Sequence, residues 1–316
     1  MNNLTNVWVG VDVSKDTLDI HLYPLNKSFK ITNTKVGIEK FVNQELSKFD
    51  VKQTTCEATG SYEKVFATTF KKHGYPVWVV HPQRIKGYII STGCRSKNDK
   101  IDAKKIAEFA SKNPPDYTAQ ERTENQEILR ALVNRRDDLT KSLAEEKTRY
   151  QQPAHEPCRP SIESLMEHLE SQIKVIEKQI KDILKKDEEL SAKAQLLESI
   201  PGVGVMSATM LLSWFPELGL VSNRAIASLA GLSPFERSSG KYVGKRYIGG
   251  GRSLPRKMLY MCALSAIQYY QPLKEFYKRL IAKNKPFKVA IVAVMRKLIV
   301  LANTLLRKGE MCYTFN

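Results

Sequence analysis

Disulfide, zinc and membrane-spanning chemistry are all poorly provided for in this chain. Its five cysteines (Cys56, Cys94, Cys158, Cys262, Cys312) are scattered, with no Cys-x-x-Cys pair. They read as reduced thiols of a cytoplasmic protein, not as a disulfide frame or a zinc site. The five histidines do not cluster either. No segment reaches about 18 uninterrupted apolar residues; the apolar stretch Val289–Leu306 is broken by Arg296, Lys297 and Asn303. The N-terminus, Met1-Asn2-Asn3-Leu4, does not have the form of a signal peptide. Acid is scarce in one region only. Residues 191–316 hold 19 Lys and Arg against 5 Asp and Glu, so +14 of the net charge of +17 lies there, while residues 1–190 are close to neutral with 31 against 28. A folded segment with that imbalance most often meets nucleic-acid phosphates. A membrane surface is the other class of partner, and the lack of a spanning run disfavours it.

At 316 residues the chain has room for two domains and a connector. Residues 1–115 have an α/β pattern. Val7–Val13 reads as a buried strand, Leu18–Tyr23 as a half-buried one, and Phe29–Thr32 as a third. Gly37–Phe49 has helical spacing; Thr54–Glu57 is a short strand, Glu63–Lys72 a helix, Val77–Val80 a strand stopped by Pro82, and Lys100–Ser111 a helix. Three strands followed by alternating helices and strands fit an RNase H-like sheet. Asn113–Tyr117 has the composition of a linker. Residues 120–190 form two long helical stretches around the proline-rich segment 152–160. In the second, Ile162, Met166, Leu169, Ile173, Ile176, Ile180 and Ile183 repeat at alternating spacings of four and three, a coiled-coil seam. An intramolecular helical hairpin and a dimerisation arm both satisfy that pattern. Residues 191–316 read as mostly α-helical: Leu196–Leu212, Leu218–Leu232 and helices near 254–269, 272–283 and 286–307, with a glycine-rich basic loop at 238–252.

Four carboxylates carry the chemistry of the first region. Asp12 ends the run Val7-Trp8-Val9-Gly10-Val11-Asp12, Glu57 follows Thr54-Thr55-Cys56, and Asp99 and Asp102 stand one helical turn apart. Acids at strand ends and a pair on a helix can converge on hard divalent cations, which hold the attacking and leaving oxygens of a phosphoryl transfer. Mg²⁺, or Mn²⁺, suits such an all-oxygen set. Taken singly each acid is an ordinary solvated charge, and Asp99 and Asp102 also fit an exposed helix start beside Lys97, Lys100 and Lys104. The set as a whole points to a metal-dependent nuclease or recombinase.

Two motifs lie in the last region. Ser199–Ala208, with Gly202 and Gly204, has the form of a helix-hairpin-helix. Its glycines let backbone N–H groups approach a phosphate, although a plain glycine turn between packed helices has the same sequence. Residues 237–257 include seven basic residues and no acid: Arg237, Lys241, Lys245, Arg246, Arg252, Arg256 and Lys257, with Tyr242 and Tyr247 interleaved. This composition suits sequence-independent backbone contact. Ser238 and Ser239 open the loop, and a serine among guanidinium groups can attack a phosphodiester.

These motifs, in this order, resemble the DEDD transposases of bacterial insertion sequences, the Piv-like or IS-one-ten family, some of which are bridge-RNA-guided serine recombinases. The matching residues are Gly10–Lys15, Glu57–Tyr62, Asp99–Ala103, Ser199–Gly204, Ala230–Pro234, Ser239-Gly240 and Leu254–Tyr260. The resemblance implies a RuvC-like domain over residues 1–115 with Asp12, Glu57, Asp99 and Asp102 as its metal tetrad. It implies a coiled-coil dimerisation region over 120–190 and a C-terminal transposase domain over 191–316. Ser239 matches the place of the family's proposed nucleophile, with Ser238 as its neighbour one residue away. The implied partners are double-stranded DNA at element ends and target, a non-coding guide RNA, and further copies of the chain in dimers or tetramers. Two other readings stand beside it: a RuvC-like junction nuclease in which water attacks, and a non-catalytic nucleic-acid-binding scaffold.

Overall fold

The computed structural model describes residues 4–60, 62–93, 99–115, 122–235, 238–239, 242–244 and 246–312; at 99–101, 238, 239, 242 and 243 it describes the backbone alone. The chain divides into two compact units, Met1–Ala119 and Gln120–Asn316.

The first unit is a mixed α/β domain. Strands β1 (Asn6–Val13), β2 (Thr17–Tyr23) and β3 (Lys27–Thr32) form an antiparallel meander. Helix α1 (Lys35–Gln44), strand β4 (Asp50–Glu57), helix α2 (Glu63–Lys72), strand β5 (Val77–Val80) and helices α3 (Pro82–Ser91) and α4 (Asp99–Lys112) follow. The five strands lie in the order β3-β2-β1-β4-β5, with β4 parallel to both β1 and β5. Alternation along β1 decides which side chain goes where. Val7, Val9, Val11 and Val13 enter a core with Ile38, Phe41 and Val42 of α1 and Phe66 and Phe70 of α2. Gly10 and Asp12 therefore face the other side, which α4 covers.

Gly10 makes that cover possible. A Cβ built on it would stand 2.1 Å from the carbonyl oxygen of Ala103 and 2.4 Å from the backbone N of Ala107. Helix backbone thus rests directly on strand backbone. Farther along α4, Phe109 stacks on Trp78 of β5, ring centroids 5.4 Å apart.

Two elements differ from the sequence pattern. The helical spacing of Gly37–Phe49 is realised as α1, ending at Gln44, and a separate 3-10 turn at Leu46–Lys48. Helix α3 has no counterpart among the expected elements, because Pro82 signals a strand end. Proline is equally at home in the first turn of a helix, where an N–H has no intrahelical partner. His81 precedes it as the cap, its Nδ1 accepting from the Gln83 N–H at 3.3 Å.

The second unit is mostly helical. Helices α5 (Glu124–Tyr150) and α6 (Arg159–Lys186) are joined by a 3-10 turn at Pro153–Cys158. They run antiparallel: Asn125 bonds Asp187, Arg136 pairs with Glu177, Lys147 with Glu170, and Tyr150 bonds Glu163. The intramolecular hairpin is thus present. The rest comprises α7 (Glu188–Glu198), α8 (Val205–Trp214), α9 (Asn223–Leu229), four two-residue strands β6 (Pro234–Phe235), β7 (Ser238–Ser239), β8 (Tyr242–Val243) and β9 (Tyr247–Ile248), and α10 (Ser253–Tyr269), α11 (Gln271–Ala282) and α12 (Phe287–Lys308). The stretch expected over Leu196–Leu212 is split at Ser199–Gly204 into α7 and α8. Of Leu218–Leu232 only α9 is helical. Gly219 there has φ +89°, and fully buried Asn303 takes the Gly219 N–H at 2.8 Å while donating to the Val221 carbonyl and Asn223 Oδ1. Helix α12 is long and apolar enough to cross a membrane by length and composition, yet half of its apolar span is buried inside the protein. Ile291, Val294, Met295, Leu298 and Ile299 are all within 2 % of complete burial, so its apolar character is that of a core helix.

Gly10→Ala is expected to destabilise the first unit by about 1–3 kcal/mol, the usual cost of overpacking, because backbone atoms must give way. Gly87→Ala, in α3 where nothing stands within 4 Å of the added carbon, is expected to be neutral or to stabilise by up to about 1 kcal/mol. Urea unfolding midpoints of the two variants check the pair.

Candidate functional site

The sheet register aligns the acids of the first unit. Asp12 stands opposite Asp19 of β2, and Asp19 opposite Lys30 of β3. Val11 pairs with Cys56, so Asp12 and Glu57 occupy the next positions along neighbouring parallel strands. One row on the α4 side of the sheet is therefore Lys30, Asp19, Asp12 and Glu57. Across it, the Lys30 ammonium lies 3.2 Å from the Asp19 carboxylate. Ala103, which rests on Gly10, is preceded by Asp102 and lies with Asp19 and Lys30 around a cavity of about 150 Å³. Asp12, Glu57 and Asp102 are all half-buried. Asp99 begins α4, and its side chain lies outside the described residues.

The donor set is chemically right for a hard divalent cation. Among the described residues, however, no group of three or more His, Cys, Asp or Glu is gathered closely enough to hold one. The backbone brings the carriers of the acids to one face; the side chains described do not form a finished cage. Negative charge nonetheless accumulates here. Burial pushes the Cys56 thiol far up, and Glu63 and Glu57 push it further.

Two neighbours of this row have no motif in the sequence. Asp19 adds a carboxylate beside Asp12; its trace is the alternation Leu18-Asp19-Ile20-His21-Leu22. Asn33 ties two loops together, its Nδ2 donating to the Ser14 carbonyl at 2.9 Å and the Tyr62 carbonyl at 3.0 Å. Those carbonyls follow Asp12 and Glu57 by two and five residues. The loop after Glu57 is shaped by Glu63, which accepts from the Thr59 N–H and hydroxyl at 3.1 and 2.8 Å.

In the second unit the basic loop closes on interlocked glycines. Gly231, Gly250 and Gly251 have φ of +67°, +63° and +63°. A Cβ on Gly251 would stand 2.2 Å from the Gly231 N, and one on Gly231 would stand 2.3 Å from the Gly250 carbonyl oxygen. Only glycine fits these contacts and angles, which accounts for Gly250 and Gly251. Arg252 then locks the base. Its guanidinium donates twice to Glu217, at 2.8 and 2.6 Å, and once to the Trp214 carbonyl, and it lies 5.0 Å from the centre of the Phe215 ring. The Glu217 side chain is 3 % exposed. Arg252 is thus engaged inside the protein. Arg256 likewise donates to the Gly250 carbonyl, and Lys257 reaches Asp137 at 3.3 Å. Arg246 is exposed. Arg237, Lys241 and Lys245 lie outside the described residues. Within the loop Phe235 stacks on Tyr247, and Ser238 and Ser239 pair with Val243 and Tyr242. Ser239 thus sits on a two-residue ladder, beside Gly240. Of the earlier glycines, Gly202 packs on α10, where a Cβ would meet the Ala266 N at 2.7 Å, while Gly204 caps α8 and faces open space.

Two family profiles match the chain. One, described as a transposase, covers residues 9–153; the other, described as the transposase IS116/IS110/IS902 family, covers residues 194–278. The chain belongs to the IS110 family of transposases. The first match takes in all four expected acids of this transposase, and the second takes in Gly202, Gly204 and the whole basic loop. Among its relatives are the pilin gene-inverting proteins of Moraxella lacunata and Moraxella bovis, each 29% identical over 97% of this chain and 98% of the relative. The transposase for insertion sequence element IS1111A of Coxiella burnetii is 32% identical over 42% of this chain and 35% of its own length. The transposase is accordingly a DNA transposase or recombinase by its family.

Arg252→Ala leaves the buried Glu217 carboxylate without its cation, and is expected to destabilise the second unit of this transposase by about 3–5 kcal/mol, read from its denaturant midpoint. A second outcome concerns pH. His21, opposite Gly10 and 2.9 Å from the Ser28 hydroxyl, has its pKa lowered from 6.5, first by burial and then by Lys104. The unfolded chain titrates at the ordinary value, so below pH 6.5 it binds a proton that the folded chain excludes. Stability is expected to fall as pH drops through that window, and to fall less in His21→Asn. Urea midpoints between about pH 7.5 and 5.5 read the difference.

Proposed function

We propose that the chain recombines DNA at the ends of a mobile element through a RuvC-like acidic centre and a serine nucleophile, with an element-encoded RNA pairing to donor and target DNA. The observation that carries this reading is the placing of Asp12 and Glu57 at neighbouring strand ends on the face that α4 covers with Asp102. Asp12, Glu57, Asp99 and Asp102 would hold Mg²⁺ or Mn²⁺, which supplies charge neutralisation at the scissile phosphate. Ser239 attacks phosphorus: a bond from its Oγ to phosphorus forms, the bond to the leaving deoxyribose oxygen breaks, and the proton lost by serine is balanced by the one the leaving oxygen takes up. One phosphodiester is exchanged for another, so the bond energy is conserved for rejoining. Arg246, with Arg237, Lys241 and Lys245, supplies positive charge for backbones. Arg252 serves by holding the loop's base. Sequence choice falls to the RNA, which suits a basic surface with few acids. The α5–α6 hairpin, whose Leu165 and Val175 remain exposed, is the element for assembling dimers or tetramers.

The full-length similarity to pilin gene-inverting proteins favours a second form of the same chemistry, inversion of a DNA segment between two sites. Excision and inversion substrates, offered in parallel to the purified protein with Mg²⁺ and the element's RNA, separate the two.

Ser239→Ala is expected to abolish the protein–DNA adduct that survives denaturation, and Asp12→Asn to lower strand cleavage by more than the roughly 10–100-fold typical for loss of a group that merely supports a metal ligand. Cleavage by Ser239→Ala without an adduct would replace serine with water as nucleophile. Full activity of Asp12→Asn would remove the acidic centre from the mechanism.

A further inference from the structure

Eight of the 19 cations of the C-terminal region lie outside the glycine-rich loop, in the 24 residues 274–297: Lys274, Lys278, Arg279, Lys283, Lys285, Lys288, Arg296 and Lys297, against the single acid Glu275. They run along α11, through the turn that holds Lys283 and Lys285, and into the first half of α12, where Lys288 lies. Every residue from 281 to 289 is exposed, and the turn is made sharp by Asn284 in the left-handed region at φ 54°. Among the described residues none of these eight cations forms an ion pair. The ion pairs of the second unit lie elsewhere, on the helical hairpin, at α7, at the base of the loop and near the C-terminus. Glu275 is itself bonded by Gln271. Lys297 lies over the Phe276 ring at 4.5 Å.

A charged helix is usually a solvated face, and α6 shows what that looks like in this chain. Its residues 159–186 carry six basic and five acidic residues, so the signs cancel. Residues 274–297 carry a surplus of seven positive charges, and self-repulsion of that kind disfavours the compact state. The surplus is relieved when a polyanion lies against it. A membrane surface fits less well: the apolar side of α12 is committed to the core, leaving only Phe287 and Val289 exposed at its start. The second family match ends at residue 278, so most of these cations lie beyond it.

We infer that the α11–α12 turn is a second nucleic-acid contact, separate from the glycine-rich loop, which grips a phosphate backbone through Lys283, Lys285 and Lys288. The inference rests on the reading of the chain as a DNA recombinase and adds to it a clamp on the duplex away from the reacting phosphate. Such contacts position without reading sequence. Each phosphate neutralised releases counterions, giving a slope of log K against log salt of about −0.9 per contact on duplex DNA and about −0.7 on single strands.

The test is a salt titration of binding by full-length protein to a random-sequence duplex and to a structured RNA. Lys283→Gln/Lys285→Gln/Lys288→Gln is compared with Lys178→Gln/Lys181→Gln/Lys185→Gln, an equal charge change on the mixed face of α6. The first variant is expected to flatten the slope by about two to three on the duplex, with a melting temperature no lower than that of the wild type. The second is expected to keep the wild-type slope. An unchanged slope for the first variant on the duplex, with or without a change on the RNA, overturns the clamp while leaving the functional reading intact. Failure of the wild-type protein to bind either nucleic acid overturns both. Tighter wild-type binding to phosphatidylserine vesicles than to duplex, lost in the first variant, assigns the turn to a membrane and also overturns the clamp.

Discussion

Helix α4 lies on β1 with backbone against backbone, and the geometry of the acidic face follows from that one close approach. A side chain at residue 10 would push the helix off the sheet, because the atoms beneath it are the Ala103 carbonyl and the Ala107 nitrogen, which cannot rotate away. With glycine there, the first turn of α4 comes down beside the row Lys30, Asp19, Asp12 and Glu57. The opposite face of the strand explains why the sheet tolerates such a row. Val7, Val9, Val11 and Val13 are buried with Phe66 and Phe70, each such side chain contributing about 1.5–3 kcal/mol. That burial offsets the cost of collecting like charges on the other side.

The second unit solves a different problem, holding a long polar loop by its ends. Three glycines with positive φ interlock at the loop's base, and the Arg252–Glu217 pair locks beside them. A buried ion pair of this kind adds little net stability over an apolar pair of the same size, but losing one partner is costly. It therefore specifies one closure of the loop. This gives Arg252 a part that its place in a basic sequence conceals: it resembles its neighbours in composition and differs from them in having a buried carboxylate within reach. Positive charge on this unit is of two kinds, charge spent on the fold, as at Arg252 and Arg256, and charge left to solvent, as along residues 283–288.

Much of the first unit was legible in its pattern. The strands at 7–13, 18–23, 29–32, 54–57 and 77–80 and the helices at 63–72 and 100–111 all have counterparts, because each is short, strongly patterned and bounded by glycine, proline or charge. Helix α3 was not legible, since Pro82 marks a strand end and a helix start equally well. The break in Gly37–Phe49 was hidden because 3-10 and α-helical turns bury the same residues. In the second unit the seam of α6 announced the hairpin, while Gly219 and the three hydrogen bonds of Asn303 limited α9 to seven residues through contacts about 80 positions away in the chain.

The chain's residues determined by themselves the charge asymmetry, the alternation that turns Asp12 away from the valine core, and the family. Those are properties of composition, of period and of local order, which need no partner residue to be read. Tertiary structure alone decided that Asp19 joins the acidic row, that Asn33 bridges the loops after Asp12 and Glu57, that Arg252 belongs to the fold, and that the cations around 283–288 form no ion pair among the described residues. Each depends on which distant groups come within about 3 Å, the range in which hydrogen bonds and ion pairs act, and that range is set by packing, not by spacing along the chain.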